Sequence, residues 1–163
     1  MKKFSLSVLN NVMFTITAFF IAFAFIHSSM PADISGEESE SVLQFLQNIL
    51  NSLGMGTELT SYIVRKAAHF TEYAAIGGAL VGCAYSFNNA KPYIYSINIL
   101  FVGLLTAVLD ETIQLNVVGR SGQVSDVLLD FGGCITGAVI VIAVIKVVQI
   151  IIDHKKLNRI NVT

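Results

Sequence analysis

Four stretches of this chain, at about residues 8–26, 62–87, 93–115 and 127–152, are long and apolar enough to cross a bilayer as helix, and they leave little chain for anything else. A spanning helix needs roughly 20 predominantly apolar residues to cross the hydrocarbon core. At 54% hydrophobic and 13% charged, with a mean hydropathy of +0.70, the chain stands apart from soluble domains, which carry about 25% charge. The sequence therefore reads as all-α: a polytopic membrane four-helix bundle forming a single domain over residues 1–163, with no visible internal repeat.

Charge placement sets an expected orientation. Lys2 and Lys3 precede the first span, Lys91 lies between the second and third, and Lys155, Lys156 and Arg159 follow the fourth. Basic residues near span ends mark the cytoplasmic side, so both termini are expected in the cytoplasm and the protein in a bacterial cytoplasmic membrane. The loop after span one carries Asp33, Glu37, Glu38, Glu40 and Glu58 and no Lys or Arg, which turns it outward. Arg65, Lys66 and Arg120 are outward exceptions and call for a carboxylate or ligand partner. The first span exceeds a secretory h-region and lacks a small-x-small cleavage pattern, so it reads as an uncleaved anchor. Nothing in the net charge of −1 points to nucleic acid, and no such partner is expected.

Within the outward loop, Val42, Leu43, Leu46, Ile49, Leu50 and Leu53 recur at helical spacing. Residues 41–53 are expected to form an amphipathic helix, capped by Ser39 or Ser41, that lies in the outer interface or covers the bundle. Leu53-Gly54-Met55-Gly56 ends it, and Thr57 or Thr60 begins the next helix. Asn88-Asn89-Ala90-Lys91-Pro92 reads as a tight inner turn. Ala74, Gly78 and Gly82 on span two, and Gly133 and Gly137 on span four, form small-residue ridges for close helix packing. Cys83 and Cys134 fall at depths of ~25 Å and ~12 Å at 1.5 Å per residue, too far apart for a disulfide.

The chemistry concentrates where lipid should be. Arg65, His69, Glu72 and Tyr73 are three or four residues apart on one helical face, with Lys66 beside them. Asp110 and Glu111 lie four and three residues before Gln114 at the end of span three. Arg120 follows in a Gly-flanked turn, and Asp126 and Asp130 start span four at i and i+4. Intramembrane ionisable groups are costly and are kept when paired or used. Arg65, Lys66 and Arg120 supply cationic sites for an anion; His69, Glu72, Asp110 and Glu111 are candidate acid–base or organising residues; Tyr73, Gln114 and Asp126 are candidate ligand contacts. Asp126 also reads as a partner of Arg120 or a helix N-cap. No metal or other cofactor is expected: one histidine reaches that depth, and the bases would repel a cation. His27 and His154 read as isolated interfacial side chains.

Arg65-Lys66-x-x-His69-x-x-Glu72-Tyr73, Asp110-Glu111-x-x-Gln114, and Gly119-Arg120-Ser121 with Asp126 and Gly133 together resemble the VanZ-like family of bacterial membrane proteins. The Ser28-Ser29-x-Pro31 exit from span one is similar too, and the likeness runs over about residues 20–140. Val118 departs from the pattern, standing where proline is expected. The family is named for an accessory protein associated with teicoplanin resistance; the resemblance implies relatives rather than a reaction. Two roles are open to such a cluster. It could bind or process an anionic envelope molecule (a lipid-linked precursor, a phospholipid headgroup or a lipoglycopeptide), with membrane lipids around it and the 41–53 helix as a roof. Alternatively it is a structural ion network in a non-catalytic accessory or assembly protein.

Overall fold

A computed structural model describes residues 2–54, 59–87 and 91–160. Every regular element among them is helical: α1 Lys2–Ser28, α2 Ala32–Ser52, α3 Ser61–Phe87, α4 Ser96–Gln114 and α5 Val124–Ile160, with a 3-10 turn at Pro92–Tyr95 leading into α4. Residues 88–90 of the expected inner turn, and Met55, Gly56, Thr57 and Glu58, lie outside the described residues.

Pro31 separates α1 from α2. It has no N–H to extend the first helix and takes the cap position of the second at φ −54°. The second helix then starts at Ala32, well before the expected residue 41. Apolar spacing was blind to this part because Glu37, Glu38 and Glu40 are good helix formers without being apolar, and Asp33 in the first turn complements the helix dipole. Ser39 and Ser41 accordingly do not cap a helix. Their hydroxyls donate to the carbonyls of Ser35 (2.8 Å) and Glu37 (2.9 Å) inside it. At the start of α3, the Thr60 hydroxyl accepts the Ile63 N–H at 3.3 Å, one of the two caps the sequence allowed.

Three segments are long and apolar enough to cross a membrane: Val8–Ser28, Pro92–Gln114 and Val124–Lys155. In the first and last, only 11% of the most apolar window is buried inside the protein; the rest faces outward, as lipid contact requires. α3 carries Arg65, Lys66, His69 and Glu72 in its first half and falls outside this set. It is the helix that the others gather round, packing along α5 and α1, while α4 touches α1, α3 and α5.

The α3–α5 seam rests on missing side chains. A Cβ on Gly137 would overlap the Ala74 carbonyl, and one on Gly77 would overlap the Cys134 carbonyl. The α5 glycine ridge is thus placed as expected, but it meets α3 at Phe70, Ala74 and Gly77; Gly82 faces Met13 of α1 instead. Two apolar clusters lie along the seam. Ala24, Tyr73, Ile76, Ala107 and Cys134 form the one nearer the polar end, and Val81, Ala84, Ile99 and Ala138 the other. Both cysteines are free.

Candidate functional site

The polar residues meet where α1 and α4 end and where α3 and α5 begin. Ser28, the last residue of α1, donates its hydroxyl to Asp110 Oδ2 at 2.7 Å, and Gln114 Nε2 donates to the same oxygen at 3.1 Å. Asp110 is 0% exposed. A carboxylate at that depth costs several kcal/mol without donors, and these two join the ends of α1 and α4. Its second oxygen, Oδ1, is buried with no hydrogen-bond partner.

One residue further round α4, Glu111 reaches the opposite neighbour. Its Oε1 accepts the Gln123 N–H at 2.7 Å, one of the donors left open at the start of α5. Arg120 does the reciprocal service for α1: Nε donates to the Met30 carbonyl at 2.9 Å and Nη2 to the His27 carbonyl at 3.2 Å. His27 lies in the last turn of α1 and Met30 two residues past its end, where a cation complements both the unpaired acceptors and the dipole. Burial first, and the nearby Arg65 guanidinium second, hold the Arg120 pKa below its ordinary value. The turn carrying Arg120 is fixed without the proline. Gly119 takes φ +79°, the Ala32 N–H donates to the Val118 carbonyl at 3.3 Å, and the Arg120 N–H donates to Val117 at 3.2 Å. Asp126 pairs with Lys66, not with Arg120 as the sequence reading had allowed.

His27 requires a correction. Far from being an isolated interfacial group, it has an 18% exposed side chain that stands between three helices. Nδ1 lies 3.0 Å from Glu72 Oε1 and Nε2 lies 3.4 Å from Glu38 Oε2. The Nδ1 contact is an ion-pair distance rather than an aligned hydrogen bond, since that nitrogen has no hydrogen-bond partner. The ring also stacks on His69, with centroids 5.8 Å apart and planes at 23°. The available signal was its position in the last turn of span one, the same depth band as His69. Ser28 and Gln123 also join the site; the first had appeared only in the family pattern, and the second binds through a backbone group that no side-chain pattern reveals.

Cavities flank α3 on more than one side, among them one of about 160 Å³ between Gly36 and Ser39 of α2 and Ser61, Tyr62 and Arg65 of α3. A polar cleft of about 70 Å³ is walled by Arg65, Lys66 and His69 on one side and by Glu111, Gln114, Arg120, Asp126 and Asp130 on the other. A larger, mainly apolar groove of about 440 Å³ runs between α2 and α3, past Val42, Leu46, Val64 and Ala67, and ends at His27 and Glu72. The His27–His69 stack stands between the cleft and the groove. Seven of the residues named from the sequence as contacts or acid–base candidates, Arg65, Lys66, His69, Glu111, Gln114, Arg120 and Asp126, are therefore brought together at the cleft, with Tyr62, Ser121, Gln123 and Asp130 beside them. Glu72 faces the groove instead. Tyr73 is 0% exposed, with its hydroxyl 3.3 Å from the Thr106 carbonyl, and Asp110 sits behind the cleft wall. The α2 helix lines the groove and does not roof the cleft.

A water needs roughly 10–15 Å³, so the cleft has room for a phosphate or carboxylate group but not for a whole headgroup. Among the described residues, Arg65 has neither a hydrogen bond nor an ion pair, while Lys66 and Arg120 are engaged as above. No curated protein and no solved structure matches the chain. The model of the VanZ/LLP1 family matches residues 12–147, a range that includes every residue lining this site. The chain belongs to the VanZ/LLP1 family.

Proposed function

We propose that this is a four-span protein of the bacterial cytoplasmic membrane, with both termini in the cytoplasm, whose outward-facing cleft binds the anionic group of an envelope molecule. A lipid-linked precursor, a phospholipid or a lipoglycopeptide would supply such a group. The carrying observation is Arg65: a cation on the cleft wall with no polar partner among the described residues, beside a space the size of one phosphate. Arginine's planar fork suits that geometry. For α3 as the fourth span, its 27 residues reach about 40 Å at 1.5 Å per residue. Lys66 and His69 of its polar half face the cleft shared with α4 and α5, and Glu72 meets His27 of α1, an arrangement in which the bilayer tolerates such residues. The acidic start of α2 and its exposed Phe45 (65%), with Leu53 (68%) just past its end, fit a helix seated in the outer interface.

A second reading has its own support. Lys66, Asp126, Glu111, Arg120, Ser28 and Gln114 are all engaged with one another or with helix ends. An accessory or assembly protein with a structural network would look the same at those residues. Arg65 separates the readings, because among the described residues it makes no hydrogen bond or ion pair. Native mass spectrometry of the detergent-purified protein is expected to retain an anionic lipid that the Arg65→Ala variant loses. Equal lipid retention by the two proteins would favour the network. If the ligand is a glycopeptide-related molecule, the same variant at normal membrane abundance should lower glycopeptide tolerance.

A further inference from the structure

Behind the cleft, three helices each place one potential metal donor at the same point. His69 comes from α3, Asp110 from α4 and Asp130 from α5, and one ligand atom from each lies within 4.8 Å of the other two. The three residues are 7%, 0% and 1% exposed. We propose that they form a binding site for a single borderline divalent cation, Mn2+ or Zn2+, with an open position facing the cleft. This goes beyond the anion reading and stands whether or not the cleft takes a lipid.

Two buried acceptors point to a ligand independently of the clustering. Asp110 Oδ1 and Asp130 Oδ1 are both enclosed and both lack a hydrogen-bond partner. Among the described residues, neither carboxylate pairs with a lysine or arginine. Lys66 is committed to Asp126 and Arg120 to the carbonyls of His27 and Met30, which leaves Arg65 as the cleft-wall base without a partner among the described residues. Buried carboxylates that lack a countercharge either take up a proton or bind a metal. The repulsion expected from neighbouring bases is therefore weaker than the sequence implied.

The surroundings are built as a metal site requires. Ser28 and Gln114 both donate to Asp110 Oδ2, which holds that carboxylate with Oδ1 free. Outer donors of this kind orient a ligand. Among the described residues the His69 ring makes no hydrogen bond, so a ring nitrogen is available. One turn deeper on each helix stand Tyr73, Ala107 and Cys134, members of the same apolar cluster and all 0% exposed. They form a dry floor. His69 and Asp130 also line the cleft, so that is the direction from which an ion or its outer ligand enters. Metal–ligand bonds of about 2.0–2.2 Å would draw donors to within about 4.4 Å of each other, a contraction of a few tenths of an ångström. One imidazole and two carboxylates suit Mn2+, Fe2+ or Zn2+ better than Mg2+, which prefers oxygen alone.

The test uses the full chain in detergent, stripped with EDTA and titrated with Mn2+ alone or Zn2+ alone, with Mg2+ as the contrast. One Mn2+ or Zn2+ per chain is expected to bind and to raise the melting temperature. The pulsed electron paramagnetic resonance spectrum of the Mn2+ form should show coupling to one histidine nitrogen, absent in His69→Gln. Binding should weaken at least tenfold in Asp130→Asn, and about ten- to a hundredfold in Ser28→Ala, which keeps all three donors. Should Asp130→Asn fail to fold, the wild-type nitrogen coupling and the Ser28→Ala titration carry the test. The proposal is overturned if the stripped wild type binds neither ion saturably, if bound Mn2+ shows no nitrogen coupling, or if Ser28→Ala and His69→Gln bind as tightly as wild type.

Discussion

α5 is held to the rest of the molecule in two different ways. Below the Lys66–Asp126 pair, the seam with α3 rests on small residues: Gly137 and Gly77 let backbone touch backbone, and a carbon added at either strikes a carbonyl. At its start, where the α4–α5 turn meets α1, long side chains reach over to backbone groups, Glu111 to the Gln123 N–H and Arg120 to the carbonyls of His27 and Met30. The first contact is intolerant of enlargement and the second of deletion. Without a hydrophobic drive between helices in lipid, packing and polar contacts must hold them together. This chain assigns packing to the seam and polar contacts to the site. Glu111, an acid–base candidate in the sequence, thus also holds the start of α5, and the contrast can be broken at four places.

The largest effect is expected at Gly137. Overpacking usually costs about 1–3 kcal/mol because side chains give way; here the obstacle is the Ala74 carbonyl of a packed helix. Gly137→Leu should therefore cost about 3 kcal/mol or more and abolish the monodisperse peak on size exclusion in detergent. A variant that purifies with an unchanged melting curve would mean that α3 and α5 are not this close.

Arg120→Ala comes next. It strips two charge-assisted hydrogen bonds from the end of α1, each worth about 1.5–3 kcal/mol, and some of that is recovered if water reaches the freed carbonyls. A net loss of about 2–4 kcal/mol in thermal or denaturant unfolding is expected, with Arg120→Lys intermediate because one ammonium cannot reproduce the fork. Unchanged stability in Arg120→Ala would return Arg120 to the list of free ligand-binding cations.

Glu111 gives a finer measure of the same corner. Glu111→Ala orphans the Gln123 N–H and should cost about 1–3 kcal/mol, whereas Glu111→Gln keeps an acceptor and should cost less than about 1 kcal/mol. A Gln variant as damaged as the Ala variant would show that the negative charge, not the acceptor, matters there.

How much of this the sequence could reveal follows from the type of contact. The apolar stretches fixed the helices closely, since α3 at Ser61–Phe87 and α4 at Ser96–Gln114 fall within a few residues of where hydropathy placed them. The gathering of His69, Asp110, Glu111, Arg120 and Asp126 at one end was legible too, because each lies in the first or last turns of its stretch. Partner choice was not. Arg120 binds carbonyls, which every residue has, so nothing in the sequence marks them as targets. The i, i+4 spacing put Asp126 and Asp130 on one face but could not say that the first meets Lys66 while the second meets Asp110 and His69. Glu72 lies on the same turn as His69 yet faces the other way, because α1 presents His27 to that flank. Such choices depend on the rotation of each helix about its axis, which hydropathy leaves undetermined when all its faces are apolar.

Arg65 should have the smallest effect on stability, and that makes it the sharpest probe of the contrast. It lies on the cleft wall like Lys66 and Arg120, but among the described residues it bonds to nothing. Surface or cleft substitutions that break no hydrogen bond, cap or packing contact usually fall within about 0.5 kcal/mol of neutral, and Arg65→Ala should do so in the same unfolding assay. Removing its charge should nonetheless weaken retention of anionic lipid, with zwitterionic lipid unaffected. Loss of stability comparable to Arg120→Ala would place Arg65 among the residues that hold helix ends, and the cleft would then have no cation left over for a ligand. A neutral variant with intact anionic-lipid retention would leave the cleft folded but move lipid recognition elsewhere, most directly to the groove beside α2, where Val42→Asp should then be the variant that releases it.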